Sequence, residues 1–207
     1  MLEIYGRANS LNVRKVLWLC DEMGLAYRRE DWGRGFRPLD DPEYRRLNAF
    51  ALIPTVVDDG FVLRESNTIL RYLASKHGRD DLYPVDLRRR AEVEVWMDWG
   101  ASDLYTGCRV VFLGQVVKAR PYDNEEQLSY HLALWSEQMR RLEAWLAAGG
   151  PYVAGSAFTL GDIQIGLLVH RWFALDIVRP ELPAVAAYYA RLAERPAYRA
   201  HGCNVFP

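Results

Sequence analysis

Cysteine is scarce in this chain. Cys20, Cys108 and Cys203 are the three among 207 residues, and no two of them form a CxxC pair. That spacing offers neither a disulfide framework nor a zinc knuckle. The four histidines, His77, His131, His170 and His201, share no ligand spacing, so no metal is expected. Neither sign of charge is in excess, the formal net charge being −1, so a nucleic acid has no global electrostatic reason to bind. The local runs Arg88-Arg89-Arg90 and Arg140-Arg141 lie among acidic residues and read as solvated helix faces. Long apolar runs are missing too: Ile163 to Val169 is too short to span a bilayer, which argues against a membrane partner. Met1-Leu2-Glu3-Ile4-Tyr5 reads as a strand rather than a signal peptide, so a reducing, cytoplasmic setting is expected. There is no G-x-S-x-G elbow, P-loop or G-x-G-x-x-G.

Half of the residues are hydrophobic, enough for one large core or two small ones. The first eighty residues alternate strand and helix signals. Leu2 to Tyr5 is a β-type run, and from Ser10 the positions Val13, Val16, Leu17 and Cys20 recur with helical spacing until Gly24. Ala26 to Asp31 is a second strand, Trp32 to Pro42 a loop rich in Gly and Pro, and Glu43 to Asn48 a short helix. Ile53 to Val57 and Phe61 to Leu63 flank Asp58-Asp59-Gly60, a hairpin signal. Ser66 then opens a helix carrying Ile69, Leu70 and Leu73. The order β-α-β-α-β-β-α contains an antiparallel pair, which argues against a doubly wound sheet. Beyond a linker at Gly78 to Asp86 everything is helical in pattern: Leu87 to about Val117, Glu125 to about Leu146, Leu160 to about Leu175, and Leu182 to Glu194. The third of these is apolar on most sides, as a buried helix is. Two domains are expected, residues 1–80 and 87–207.

Three stretches carry the candidate chemistry. Ser10 sits where the first strand feeds the first helix, and on its own reads as an N-cap. A capping hydroxyl still has a proton to donate. Aimed at a bound thiol, that proton stabilises the thiolate. Lowering a thiol from pKa ~8.5 to ~6.5 requires about 2.7 kcal/mol. A hydrogen bond to a charged group supplies about 1.5–3 kcal/mol, and a helix N-terminus adds about 0.3–1 kcal/mol. No general base is needed, and none lies in this loop. Ile53-Pro54 reads either as a strand-edge proline or as a cis bond that turns the Ile53 backbone outward to pair with a short peptide. Arg64-Glu65-Ser66-Asn67 starts a helix: Ser66 and the first N–H groups suit a carboxylate, and Glu65 suits an ammonium. Phe158-Thr159-Leu160-Gly161-Asp162-Ile163 has capping-box spacing and is read as structural, and Cys20 is read as core.

Together these residues resemble the cytosolic glutathione transferases over nearly the whole chain. Tyr5-Gly6, then Ser10-Leu11-Asn12-Val13-Arg14-Lys15-Val16-Leu17, is similar to the catalytic segment of the bacterial, serine- or asparagine-using classes. Asn48, Ile53-Pro54-Thr55-Val56-Val57-Asp58-Asp59-Gly60 and Leu63-Arg64-Glu65-Ser66-Asn67-Thr68-Ile69-Leu70-Arg71-Tyr72-Leu73 resemble the family's most specific stretch. The resemblance implies an α/β thioredoxin-like domain followed by an all-α domain, with glutathione as co-substrate. It assigns Ser10 and Asn12 to the thiolate, Ile53 and Pro54 to the cysteinyl backbone, and Glu65 with Ser66 to the γ-glutamyl end. A hydrophobic electrophile is the implied second substrate; its wall is expected from Tyr105, Arg109 and Trp172, an assignment resting on their expected helices. A homodimer is implied as well, Asp103 reaching the partner's glutathione amine. Where relatives carry a Lys or Gln for the glycyl carboxylate this chain has Leu52, so Arg34 or Arg37 is the expected substitute. The alternatives are a non-catalytic interaction module that keeps the fold, or a glutathione-dependent disulfide reductase or peroxidase.

Overall fold

A computed structural model describes residues 1–203. The chain divides into two compact units: Met1–Arg79 together with the segment from Pro196, and Asp80–Arg195. The first unit runs β1 (Leu2–Tyr5), α1 (Leu11–Met23), β2 (Tyr27–Glu30), α2 (Pro42–Leu47), β3 (Thr55–Asp58), β4 (Phe61–Arg64) and α3 (Ser66–Lys76). Its sheet has the order β2-β1-β3-β4. β1 pairs in parallel with β2 (Leu2 opposite Tyr27) and antiparallel with β3 (Leu2 opposite Asp58), while β3 and β4 form the hairpin with Asp58 opposite Phe61. Asp59 and Gly60 at its tip both have positive φ, as the twist of a two-residue hairpin loop demands. Ile4 and Val56 of the sheet meet a core with Val13, Val16 and Leu17 of α1 and Ile69, Leu70 and Leu73 of α3, all buried. The expected loop Trp32 to Pro42 is anchored from inside: Trp32 is fully buried and its ring lies 5.0 Å from that of Tyr44.

The C-terminal segment departs from the sequence pattern, which groups it with the helical region. A short helix, Pro196–Tyr198, and a π-helical turn, Arg199–Cys203, instead pack on α1. The Tyr198 ring packs tilted against that of Trp18 with centroids 4.5 Å apart, the Arg14 guanidinium donates to the carbonyls of His201 and Gly202, and His201 Nε2 lies 2.6 Å from Asp21. A buried Arg14 therefore ties the turn at His201 and Gly202 to the first helix.

The second unit holds α4 (Leu87–Ala101), α5 (Asp103–Phe112) continuing into a π-helical turn (Leu113–Val117), α6 (Glu125–Ala148), α7 (Leu160–Ala174) and α8 (Pro183–Ala193). The single helix expected from Leu87 to Val117 is broken at Ser102, whose backbone leaves the helical region (φ −110°, ψ −90°). Its hydroxyl bonds back to the Asp98 carbonyl at 2.8 Å, the competition with the helix ladder that serine offers. α7 is buried from Leu160 through Trp172, as its all-round apolar pattern implies. At its start Asp162 accepts from the N–H groups of Thr159 (2.8 Å) and Val153 (3.0 Å) and from the Tyr188 hydroxyl (3.0 Å).

Candidate functional site

The loop between β1 and α1 runs against its neighbours. Gly6 has φ +149°, and a side chain there would lie 2.6 Å from Val13 Cγ2 and 3.1 Å from Ile53 Cβ. Gly6 N–H donates to the Glu30 carbonyl at 2.8 Å and Arg7 N–H to that of Trp32 at 3.1 Å, fixing the loop to the end of β2. Ser10 follows as the N-cap of α1, its backbone extended and its carbonyl accepting from Arg14 N–H at 2.9 Å. Its side chain makes no capping bond. The half-buried hydroxyl is therefore not committed to the helix it begins, and no acidic residue in the first turn offsets the positive end of the helix dipole. Asn12, also half-buried, lies two residues further on, within the first turn of the same helix.

The Ile53–Pro54 peptide is cis. The backbone just before it is held by a buried polar trio. Tyr44 Oη donates to the Leu52 carbonyl at 2.6 Å and Asn48 Nδ2 donates to the same oxygen at 2.8 Å. The second Asn48 Nδ2 hydrogen goes to Thr55 Oγ1 at 3.0 Å, and Thr55 and Tyr44 hydroxyls lie 2.9 Å apart. Since the Tyr44 proton is on Leu52, Thr55 supplies the proton of that last bond. Burial pushes the Tyr44 phenol up, which keeps it a donor. Asn48 and Thr55 stand in the sequence only as parts of a motif, and nothing there singles out Tyr44.

At the start of α3, Glu65 adopts φ +64°, ψ +113°, a backbone conformation that L side chains rarely take. Its side chain is exposed and makes no capping bond, whereas Ser66 is buried with 7% of its surface accessible. Ser66 Oγ accepts from Lys15 Nζ at 3.4 Å. Lys15, on α1, is a polar group of this site that helical periodicity does not reveal.

Of the two arginines after β2, Arg37 is held in place: its guanidinium lies 3.8 Å above the Trp32 ring and pairs with Glu43. Arg34 is exposed on a cavity of about 460 Å³ lined also by Gly33, Phe36, Leu39 and Ala51. In the helical unit, Asp103 is exposed at the start of α5 and accepts from Ser102 Oγ at 3.2 Å. Tyr105 is half-buried, and Arg109, one turn on, is exposed with its guanidinium 5.9 Å from the Tyr122 ring. Trp172 does not form a wall with them. It is 0% exposed and packs edge-to-face on Trp135 at 5.0 Å, a core residue of the helix that the sequence already marked as buried.

Comparison with known proteins decides the family. The glutathione S-transferase N-terminal domain model matches residues 9–76 and the C-terminal domain model residues 110–196. The chain is 32% identical over 201 residues to glutathione S-transferase GstB of Escherichia coli, covering 96% of each. It is similar at 40% identity and TM-score 0.92 to the theta class glutathione S-transferase of Xanthomonas axonopodis pv. citri, solved with glutathione bound, over 100% of this chain and 99% of that one. Glutathione S-transferase 3 of Zea mays is 30% identical over 211 residues, 96% of this chain and 91% of that one. This chain is a glutathione transferase.

The N-terminal mixed sheet with its helices and the all-α second unit are the transferase architecture. Neither Cys20 nor Cys108 is suited to thiol chemistry in the candidate site of this transferase. Cys20 is buried and burial pushes its thiol up to about 12, and Cys108 is raised by burial as well. Among the described residues no group of three or more His, Cys, Asp and Glu is placed to hold a metal, and no helix is long and apolar enough to cross a membrane.

Proposed function

We propose that this transferase binds glutathione along the first unit and activates its thiol with Ser10. The observation that carries the reading is the Ser10 side chain: at the N-cap of α1, yet making no bond to that helix. Its O–H donates to the bound sulfur, Asn12 supplies a second amide donor, and the α1 N-terminus adds its field. The Ile53 backbone, fixed by Tyr44, Asn48 and Thr55, pairs with the cysteinyl backbone as an added strand does. Glu65 answers the γ-glutamyl ammonium, and Ser66 with the α3 N-terminus answers its carboxylate. The thiolate then attacks an electrophilic carbon of a hydrophobic substrate; the C–S bond forms as the leaving group departs with its electron pair, or as the π electrons of an activated alkene shift. Tyr105 and Arg109 of α5 are the side chains we assign to that second substrate. Thiolate absorbance in the ultraviolet at neutral pH, developed when glutathione is added to the protein, is the expected result. A bound but fully protonated thiol overturns the activation mechanism and favours the interaction-module reading.

A homodimer is part of the same proposal. What supports it is apolar surface on α4 and α6: Leu87, Val95, Leu134 and Trp145 are all exposed. Val95 and Trp145 border a cavity of about 670 Å³ lined also by Trp96 and Trp99. Asp103 is assigned to the partner's glutathione amine. One chain is 23.9 kDa, so sedimentation at that mass at micromolar concentration contradicts the assembly.

A further inference from the structure

Two neighbouring cations of α1, Arg14 and Lys15, are both buried. Arg14 has its explanation in the carbonyls of His201 and Gly202. Lys15 is 4% exposed, and its ammonium donates to Ser66 Oγ, 51 positions away in sequence. Taking an ammonium out of water costs several kcal/mol that a methionine of similar reach does not incur. An apolar side chain would pack α1 against α3 without that cost.

One use of the charge lies at the start of α3, where the ammonium meets Ser66. Ser66 is the first residue of that helix, where the leading N–H groups have no partners within the helix. A serine hydroxyl that accepts from Lys15 through a lone pair keeps its own proton to donate. Ammonium, hydroxyl proton and helix N-terminus thus add their positive potential around one oxygen atom.

We propose that Lys15 is a positioning residue for the γ-glutamyl carboxylate. Its ammonium holds the Ser66 hydroxyl with the proton directed at the substrate, and its charge stands behind that bond. This rests on Glu65 and Ser66 being the γ-glutamyl site. It makes the site selective for peptides whose first residue carries a free α-carboxylate, independently of the chemistry at sulfur.

The test compares two peptides by calorimetry: glutathione, and 4-aminobutyryl-cysteinylglycine, which keeps the amine and lacks that carboxylate. Lys15→Met is expected to weaken glutathione roughly tenfold, a loss of about 1.4 kcal/mol, and to leave the analogue's affinity unchanged. Lys15→Arg should restore most of the loss, and the thiol pKa of bound glutathione should not move in either variant. Because Lys15 acts through Ser66, the Lys15→Met, Ser66→Ala double variant should bind glutathione no more weakly than Ser66→Ala alone. Equal weakening of both peptides by Lys15→Met, or full additivity in the double variant, overturns the proposal while the Ser66 site stands. Unchanged glutathione affinity in Ser66→Ala overturns the site itself. Should Lys15→Met not fold, Lys15→Gln carries the same comparison.

Discussion

Tyr44 Oη donates to the carbonyl oxygen of Leu52 at 2.6 Å, one residue before the Ile53 backbone that is assigned to the substrate. α2 therefore does more than fill the loop between β2 and β3. It carries the hydroxyl that, with Asn48, sets the orientation of the peptide leading into Ile53. Tyr44→Phe removes that donor and deprives Thr55 of its acceptor in a site that water does not reach. The cost of unpaired buried polar groups is about 1–3 kcal/mol. Melting should show a lower Tm, and glutathione affinity should fall while the Tyr44→Phe fold is retained. A variant with unaltered Tm and affinity removes the trio from the account.

Arg34 and Arg37 separate by their surroundings. Arg37 is stacked on Trp32 and paired with Glu43, so Arg37→Ala should loosen the loop and weaken every peptide alike. Arg34 sits on an open cavity and is free to meet the glycyl carboxylate. Arg34→Ala is expected to weaken glutathione more than γ-glutamylcysteine, which lacks that carboxylate. Equal losses for the two ligands in Arg34→Ala assign the glycyl end elsewhere.

The split between what the sequence announces and what it conceals follows the range of the interactions. Hairpin, helix starts and the β-α-β-α-β-β-α order rest on neighbours within a few residues: Asp59-Gly60 at a tip, Ser10 before an apolar period, Thr159 and Asp162 three apart. Lys15 beside Ser66, Tyr44 on Leu52 and Arg14 on the C-terminal turn depend on how elements pack, and a charged residue in a helix reads as solvated until that packing is known. Trp172 shows a conflict the sequence itself contains. A helix apolar on most sides has its tryptophan inside, whereas helix position alone assigns that tryptophan to a substrate wall.

Asp162 gives a pH signature. Burial pushes its carboxyl up from 3.8 to about 6, against the pull of its hydrogen bonds from Val153, Thr159 and Tyr188. With the folded pKa above the unfolded one, the native state holds the proton more tightly between those values. Stability therefore falls as pH rises from about 4 to 6, and the penalty is fully present above pH 6; two pKa units correspond to roughly 3 kcal/mol. Denaturant titrations of the wild type and Asp162→Asn across this range should differ by that slope, the variant lacking it. The asparagine is also expected to be less stable at pH 4, because its amide meets the Thr159 N–H with a donor instead of an acceptor. Parallel pH profiles for the two proteins refute the assignment.

Ser10 and Asn12 are the last pair to separate, and the geometry favours Ser10. Its hydroxyl stands at the N-cap without a bond to the helix, whereas Asn12 lies inside the first turn. Losing a charge-assisted hydrogen bond costs about 1.5–3 kcal/mol, and one pKa unit is about 1.36 kcal/mol. Ser10→Ala should therefore raise the pKa of the bound glutathione thiol by about one to two units, read from thiolate absorbance against pH. The rate at saturating substrate should fall with it at neutral pH and recover at alkaline pH, since hydroxide then supplies the thiolate that the variant no longer stabilises. Asn12→Ala should shift the same titration by less. The reverse ranking makes Asn12 the principal donor and leaves Ser10 as the residue that begins the helix. If both variants titrate like the wild type, neither side chain touches the sulfur, and the activating donor is a backbone N–H at the start of α1.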